Sequence, residues 1–407
     1  MGAGTARGGA CLLISGNVRK NMEFVVFAGV LLLLFIFMIV QELIQTKNQE
    51  KLFKKYLREN YGKEPPKEYS LERFARLGSY LERHKEEKQL DDITWNDLGM
   101  DEVFRRIDRT YSAAGEEYLY YTLRNISCGR EAMEHLEEVV NWLQEQEDIK
   151  VRIQLLMKRL GHLGKYSLYD YLDNLDYLGE RSNRKIVLGN LLYLPFLLLL
   201  FVQPAMGTIG IVLCMLWHIM TYFREKKVIE PYIISFAYVL RLIDVCEELE
   251  KQKIPVYRRE LDELREVLKS LRELRRGSYW VMAGNQGKIG GNPLDILADY
   301  LRMILHLDIF QFNRMLEKLR KKTGQVETML AITGYLDMAI SVGGFRKSLE
   351  GYCIPKLEED TEKAFLHMKK GWHPLLSQPV KNSIRADRGI LLTGSNASGK
   401  STFLKMV

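Results

Sequence analysis

Apolar residues are gathered along this chain into three uncharged runs. Residues 24–40 form the first, and residues 186–223 hold two more, divided at Gln203 and Pro204. Each is about 17 to 20 residues long, the length of helix that crosses roughly 30 Å of hydrocarbon, whereas core helices of soluble proteins seldom run so far without a charge. The pattern predicts a transmembrane helix over residues 23–43 and a two-helix transmembrane hairpin over residues 186–223. A signal peptide fits the first run poorly, because the run is long for an apolar h-region and Gln41-Glu42-Leu43 is no small-residue cleavage site. Residues 1–22 read as an aperiodic tail in which Met22 is a candidate natural start.

Between and after the runs the period changes to that of amphipathic helices. Residues 44–185 are rich in Leu, Glu, Lys and Arg, with apolar stripes at Leu136, Val139, Val140 and Leu143 and at Ile153, Leu156 and Leu160. Residues 224–370 repeat the theme: Leu261, Leu264, Leu268, Leu271 and Leu274 mark a helix over residues 257–276. Asn292-Pro293 then ends a Gly-rich break at 284–292 and starts a long helix over 294–321. A further helix is predicted over 326–341, interrupted by Gly343-Gly344. No internal repeat of solenoid length is visible. The expected fold is mainly α: helical core and lever segments with three transmembrane helices, followed at residues 371–407 by the first strand, phosphate loop and helix start of a P-loop α/β domain.

Charge orients this arrangement. Lys47, Lys51, Lys54, Lys55 and Arg58 follow the first span; Arg181, Arg184 and Lys185 precede the hairpin, and Arg224, Lys226 and Lys227 follow it. Lys and Arg stay on the cytoplasmic side, so the protein is expected in the cell membrane, multi-pass, with its large segments cytoplasmic and the turn at Gln203-Pro204 outside. His218, near the inner end of the hairpin, reads as an interfacial residue rather than a proton carrier. The net charge of +7 over 407 residues permits nucleic acid or anionic lipid as partner without requiring either. The 5 cysteines are scattered, and no Cys/His cluster, Ser/His/Asp spacing or carboxylate pair points to metal or nucleophilic catalysis.

The strongest chemical signal is Gly394-Ser395-Asn396-Ala397-Ser398-Gly399-Lys400-Ser401, followed by Thr402. It fits GxxxxGK(S/T), and the apolar residues 388–393 before it read as the strand the motif requires. Glycines at both ends let successive backbone N–H groups turn inward around a phosphate, and the helix start adds partial positive charge. Lys400 would reach the β- and γ-phosphates of ATP, and the Ser401 hydroxyl would ligate the bridging Mg2+. A Walker B acid and further strands are not in view, so no catalytic residue is assigned and the chain reads as a fragment of a larger ATPase.

Several segments together resemble the MutS-type DNA mismatch repair ATPases. Gly371-Trp372-His373-Pro374, then Val380-Lys381-Asn382, then Thr393-Gly394 through Thr402 are similar to the opening of that family's ATPase domain. Upstream, Thr110-Tyr111-Ser112-Ala113-Ala114-Gly115-Glu116-Glu117-Tyr118-Leu119 resembles a segment of its helical core, and Gly334-Tyr335-Leu336-Asp337-Met338-Ala339-Ile340-Ser341 resembles the helix leading into the ATPase. The resemblance implies ATP binding, a place for Asn382 near the nucleotide base, and a homodimer formed through the ATPase heads. His373 is read as fixing a turn, and Asp337 as a surface or packing residue rather than a ligand. The family's mismatch-reading domain is not seen, and three spans stand in this chain instead. Two functions are therefore expected: a membrane-anchored ATP-driven switch acting on duplex or branched DNA or on a DNA-repair partner, or a membrane signalling or scaffolding switch with no nucleic-acid role. A transporter is disfavoured, since the spans lack paired charges.

Overall fold

A computed structural model describes residues 36–41, 44–64, 68–86, 88–126, 129–163, 167–275, 293–358, 364–395 and 398–407. The tail with Met22, most of the predicted span at 23–43, the break at 284–292, and Asn396 and Ala397 of the phosphate loop lie outside these residues. The chain divides into two units, residues 1–59 with 290–295, and residues 60–289 with 296–407. In the first, residues 44–59 are helical and carry an i,i+4 pair between Lys54 and Glu50 at 2.6 Å. The second unit holds the features that follow.

Local signals start most of its helices. Ser70 caps α1 (Leu71–Arg83), accepting from Arg73 N–H at 3.2 Å, and Asp91 caps α2 (Asp92–Leu98) through Thr94 N–H at 2.7 Å. After α3 (Met100–Ile107), Ser112 caps α4 (Ala113–Arg124) through Gly115 N–H at 3.1 Å. The amphipathic helices α5 (Arg130–Glu145) and α6 (Glu147–Leu160) follow, and a capping box of Ser167 and Asp170 opens α7 (Leu168–Asp173). Beyond the hairpin helices α8 (Arg184–Leu191), α9 (Tyr193–Val202) and α10 (Pro204–Glu250) come α11 (Arg258–Leu271), α12 (Pro293–Leu305), α13 (Leu307–Arg320) and α14 (Thr323–Lys347). The chain closes with β1 (Leu366–Gly371), β2 (Asn382–Ala386) and α15 (Lys400–Met406).

The molecule is thus mainly helical, and its strands among the described residues form one two-stranded antiparallel sheet, irregular between Met368 and Gly371. The core is built around α14, which packs against α4, α5, α6, α10 and α11. The predicted stripes face inward: Val139, Val140, Leu143, Ile153, Leu156, Leu160, Leu261, Leu264 and Leu271 are all buried. A second cluster joins Leu77, Trp95, Phe104, Leu119, Tyr120 and Met338.

Among the described residues, three helical stretches are long and apolar enough to cross a membrane: Arg184–Val202, Pro204–Glu250 and Thr323–Lys347. Their surroundings separate them. Only 6% and 22% of the apolar windows of the first two are buried within the protein, against 72% for the third, which is therefore a core helix. In the hairpin, Leu191, Leu194, Leu198, Phe201, Ile209, Leu213 and Leu216 are exposed. The limbs touch through small residues: a Cβ on Gly210 would stand 2.0 Å from the Phe196 ring, and one on Gly207 2.7 Å from the Leu200 backbone. One continuous helix, α10, runs from the hairpin into the core over about 70 Å. It passes Pro231 without ending, and Ser235 Oγ donates to Pro231 O at 3.1 Å.

Three sequence expectations are corrected. The helix over 294–321 is two helices, broken at His306, which takes a left-handed conformation at φ 52°. Gly343-Gly344 does not interrupt α14: a Cβ on Gly343 would lie 2.6 Å from Tyr61 Oη and one on Gly344 2.9 Å from Arg109 Cδ, so these glycines admit neighbours rather than end a helix. Residues 388–393 are not a strand. A P-loop strand is held by ladder bonds to strands on either side, and no strand lies beside this one among the described residues, which leaves Ile390 and Leu391 55% and 87% exposed.

Candidate functional site

The described residues of the phosphate-loop motif lie ahead of α15 and in its first turn, with Gly394, Ser395, Ser398 and Gly399 exposed. Gly399 at φ 85° makes the turn into that helix, a conformation that suits glycine, and its carbonyl accepts from Phe403 N–H at 2.9 Å. Ser398 N–H reaches back to Ser395 O at 3.3 Å, closing the turn. Lys400 Nζ donates to the carbonyls of Gly394 at 2.7 Å and Ser395 at 2.5 Å. The ammonium thus spans the loop, resting on neutral acceptors. Residues 389–407 contain no Asp or Glu, while Lys400 and Lys405 are cationic. That donor set fits a phosphate, whose charged oxygens are stronger acceptors than carbonyls. Ser395, Ser401 and Thr402 are exposed, with Ser401 in the first turn of the helix, where a Mg2+-ligating hydroxyl belongs.

The other residues of this region hold it together. His373 is buried; its Nδ1 accepts from Leu375 N–H at 3.3 Å and its carbonyl from Leu376 N–H at 3.2 Å, a turn-fixing role. Burial, with the Lys405 ammonium second, holds its imidazole below the usual histidine range. Asn382 opens β2 opposite Gly371, and its Nδ2 donates to Val380 O at 3.0 Å, within its own turn.

The two upstream motifs, more than 200 residues apart in sequence, meet in the core. Asp337 of α14 is fully buried, and its carboxylate accepts from Tyr111 N–H at 3.0 Å, Ser112 N–H at 2.8 Å and Ser112 Oγ at 2.6 Å. One turn on, Ser341 Oγ accepts from Arg109 N–H at 2.8 Å and donates to Ile107 O at 2.9 Å. A Cβ on Gly115 would stand 2.4 Å from Asp337 Oδ2, so only glycine lets the carboxylate approach. Asp337 is therefore no surface residue: it sits at the start of α4, where uncompensated N–H groups and the helix dipole favour an anion.

Beside this joint, Glu116 is buried against Arg73, Arg76 at 3.0 Å and His162 at 3.0 Å. Glu117, fully buried, accepts from Ser167 Oγ at 2.9 Å, and desolvation raises its carboxyl to about 8 against this partial support. Both lie in the core segment that carries the resemblance, but sequence reasoning gave neither a role of its own. The signal was charged residues on the inward side of an otherwise apolar helix.

At the root of the hairpin a second polar cluster appears. His218 is buried rather than interfacial, a correction that follows from Gly189, Tyr193 and His306 packing against it: the Tyr193 ring lies 4.9 Å away, His306 Nε2 pairs with His218 O at 3.0 Å, and the two imidazole rings lie 5.4 Å apart. Tyr222 Oη donates to Asp308 at 2.7 Å, and Asn190 Nδ2 to Leu305 O at 3.1 Å. Burial keeps the His306 imidazole below its ordinary range. Among the described residues no group of three or more His, Cys, Asp or Glu could hold a metal ion.

No family model matches the chain. A stretch of 115 residues, 26% of the chain, is 28% identical to MutS protein homolog 4 of Homo sapiens. The chain spans only 12% of the length of that protein.

Proposed function

We propose that the chain is a membrane-anchored, MutS-like ATP-binding protein in which nucleotide at residues 394–402 switches helical levers that act on DNA or on a DNA-repair partner. The observation that carries the reading is Lys400, drawn across a glycine-rich loop onto two neutral carbonyls in a stretch without acids. ATP would be held by the N–H groups of the loop and by Lys400, with Mg2+ on Ser401 and Asn382 toward the base. The bound nucleotide supplies the charge that orders the loop. Helix α14, which leads into this region, carries Asp337 and Ser341, so a movement at the loop has a route into the joint at residues 107–115. Likeness to the human MutS homologue supports the DNA half, and a homodimer through the ATPase heads belongs to the same proposal. In the full-length protein Lys400→Ala is expected to abolish tight ATP binding with membrane insertion intact; unchanged ATP affinity overturns the assignment. Duplex or branched DNA is expected to bind with an affinity that falls steeply as salt rises, and no binding at low ionic strength removes the DNA half.

A second reading, a membrane signalling or scaffolding switch without nucleic acid, is favoured by the unbroken α10, which joins the hairpin to the core as one rod. Crosslinking between hairpins that is identical with and without ATP counts against it.

A further inference from the structure

We propose that the inner end of the hairpin is a binding surface for anionic phospholipid headgroups, formed by Arg184, Lys185, Arg224 and Lys227. The inference rests on the reading that the hairpin lies in a bilayer and adds the chemistry of the lipid it selects. The register of the limbs places these residues together. Phe196 meets Gly210, Leu200 meets Gly207, and Gly189 meets His218, whose Nε2 would lie 3.1 Å from a Cβ there. Continued by one more turn, the same pairing sets Arg184 and Lys185 opposite Tyr222 and Phe223, next to Arg224. Arg184, Lys185 and Arg224, far apart in sequence, thus share one level, and Lys227 follows about one turn further along α10.

The four side chains are exposed, and none of them makes an ion pair among the described residues. Elsewhere on the surface cations do find partners, as Arg159 does with Glu248 at 2.6 Å and Arg265 with Glu250 at 2.7 Å. The acids nearest the collar are partly engaged: Glu225 pairs with Arg181, and Asp308 accepts from Tyr222. From residue 180 to residue 230 the cations are Arg181, Arg184, Lys185, Arg224, Lys226 and Lys227, against Glu180, Glu225 and Glu230. Every one of these charges lies outside residues 186–223, so the outer turn has no counterpart. Directly above the collar stands a continuous apolar face with Leu188, Leu191, Leu216 and Phe223 exposed. A surface that is apolar on one side of a line and cationic with unpaired donors on the other matches the boundary between acyl chains and phosphate. Duplex DNA would meet the cations but not the apolar face. Near an anionic surface each Lys or Arg contributes about 1 kcal/mol, roughly fivefold in partition.

The test uses the full chain reconstituted in phosphatidylcholine vesicles containing one fifth phosphatidylglycerol, with the lipid that stays bound after mild detergent extraction quantified by mass spectrometry. Phosphatidylglycerol is expected to be enriched several-fold over the bulk mixture, with the enrichment weakened by salt. Replacing Arg184, Lys185, Arg224 and Lys227 by Gln should remove it, while the same change at Lys251, Lys253, Arg258 and Arg259 should leave it. Exchanging Arg for Lys and Lys for Arg at the four collar positions should also preserve it, which separates charge from folding. Bound lipid of bulk composition, or equal loss in both Gln variants, overturns the proposal. Loss of salt-dependent duplex DNA binding in the collar variant with lipid enrichment intact overturns it too, assigning the cations to nucleic acid. Failure of the protein to float with vesicles of any composition refutes the membrane reading itself, a result distinct from flotation without enrichment.

Discussion

The joint at Asp337 and the loop at Lys400 are both small polar constellations built from motif residues, yet one is sealed inside the core and the other lies open to solvent. Asp337 collects three donors from residues 111 and 112 at a helix start, so its buried charge is fully supported by the chain. Among the described residues Lys400 finds only the carbonyls of its own loop, and no strand there pairs with the apolar residues 390–392 before it. A polar site closes when two helices supply both halves of each hydrogen bond; a phosphate loop closes around what it binds. On the proposed reading the first governs stability and the second nucleotide affinity, and the two should respond to mutation in opposite ways.

The sharpest way to break the contrast is Asp337→Ala in the detergent-solubilised full chain. It leaves two backbone N–H groups and the Ser112 hydroxyl buried without an acceptor and is expected to cost about 3–5 kcal/mol in chemical denaturation. A loss below about 1 kcal/mol would mean that the joint is not closed. Next comes Glu117, whose effect depends on pH. Its folded carboxyl titrates near 8, above its ordinary value of 4.5, so the native state holds the proton more tightly than the unfolded chain. Stability from this group is full below about 4.5 and falls as pH rises toward about 8. Glu117→Gln, which keeps a partner for Ser167, should raise stability above pH 8 by on the order of 2–4 kcal/mol and change little at pH 4. Thermal melts at the two pH values would decide, and an equal shift at both would refute the buried-acid account.

Smaller effects follow at the hairpin root and the loop. His306→Ala removes the bond to His218 O and keeps a left-handed backbone without glycine; a loss of about 1–2 kcal/mol is expected, and His306→Gly should recover part of it. Lys400→Ala should leave stability within about 0.5 kcal/mol while removing ATP binding, the smallest structural effect and the largest functional one. A strong destabilisation there would erase the distinction between joint and loop.

Much of the helical architecture could be read in advance because stripes such as Leu261, Leu264 and Leu271 repeat at 3.6 residues whatever their eventual neighbour. The hairpin limbs were visible as uncharged runs for the same local reason. Of the loop, the turn at Gly399 was legible, since a positive φ there suits glycine. The errors share one cause. His306, Gly343, Gly344, His218 and residues 388–393 were judged by local propensity, and each outcome turned on partners distant in sequence: Tyr61, Arg109, the pairing of His306 with His218 O, or, at 388–393, a sheet neighbour not found among the described residues.

Apolar periodicity, uncharged runs and loop glycines depend on interactions within a few residues, and these the amino-acid sequence determined alone: amphipathic helices, an apolar hairpin and a phosphate-loop motif. Tertiary structure decided which of three apolar helices is core, that α10 passes unbroken from hairpin to core, and that Asp337 and Ser112 form one joint across 225 residues. Burial and long-range hydrogen bonding are properties of neighbours, and only the folded chain specifies neighbours.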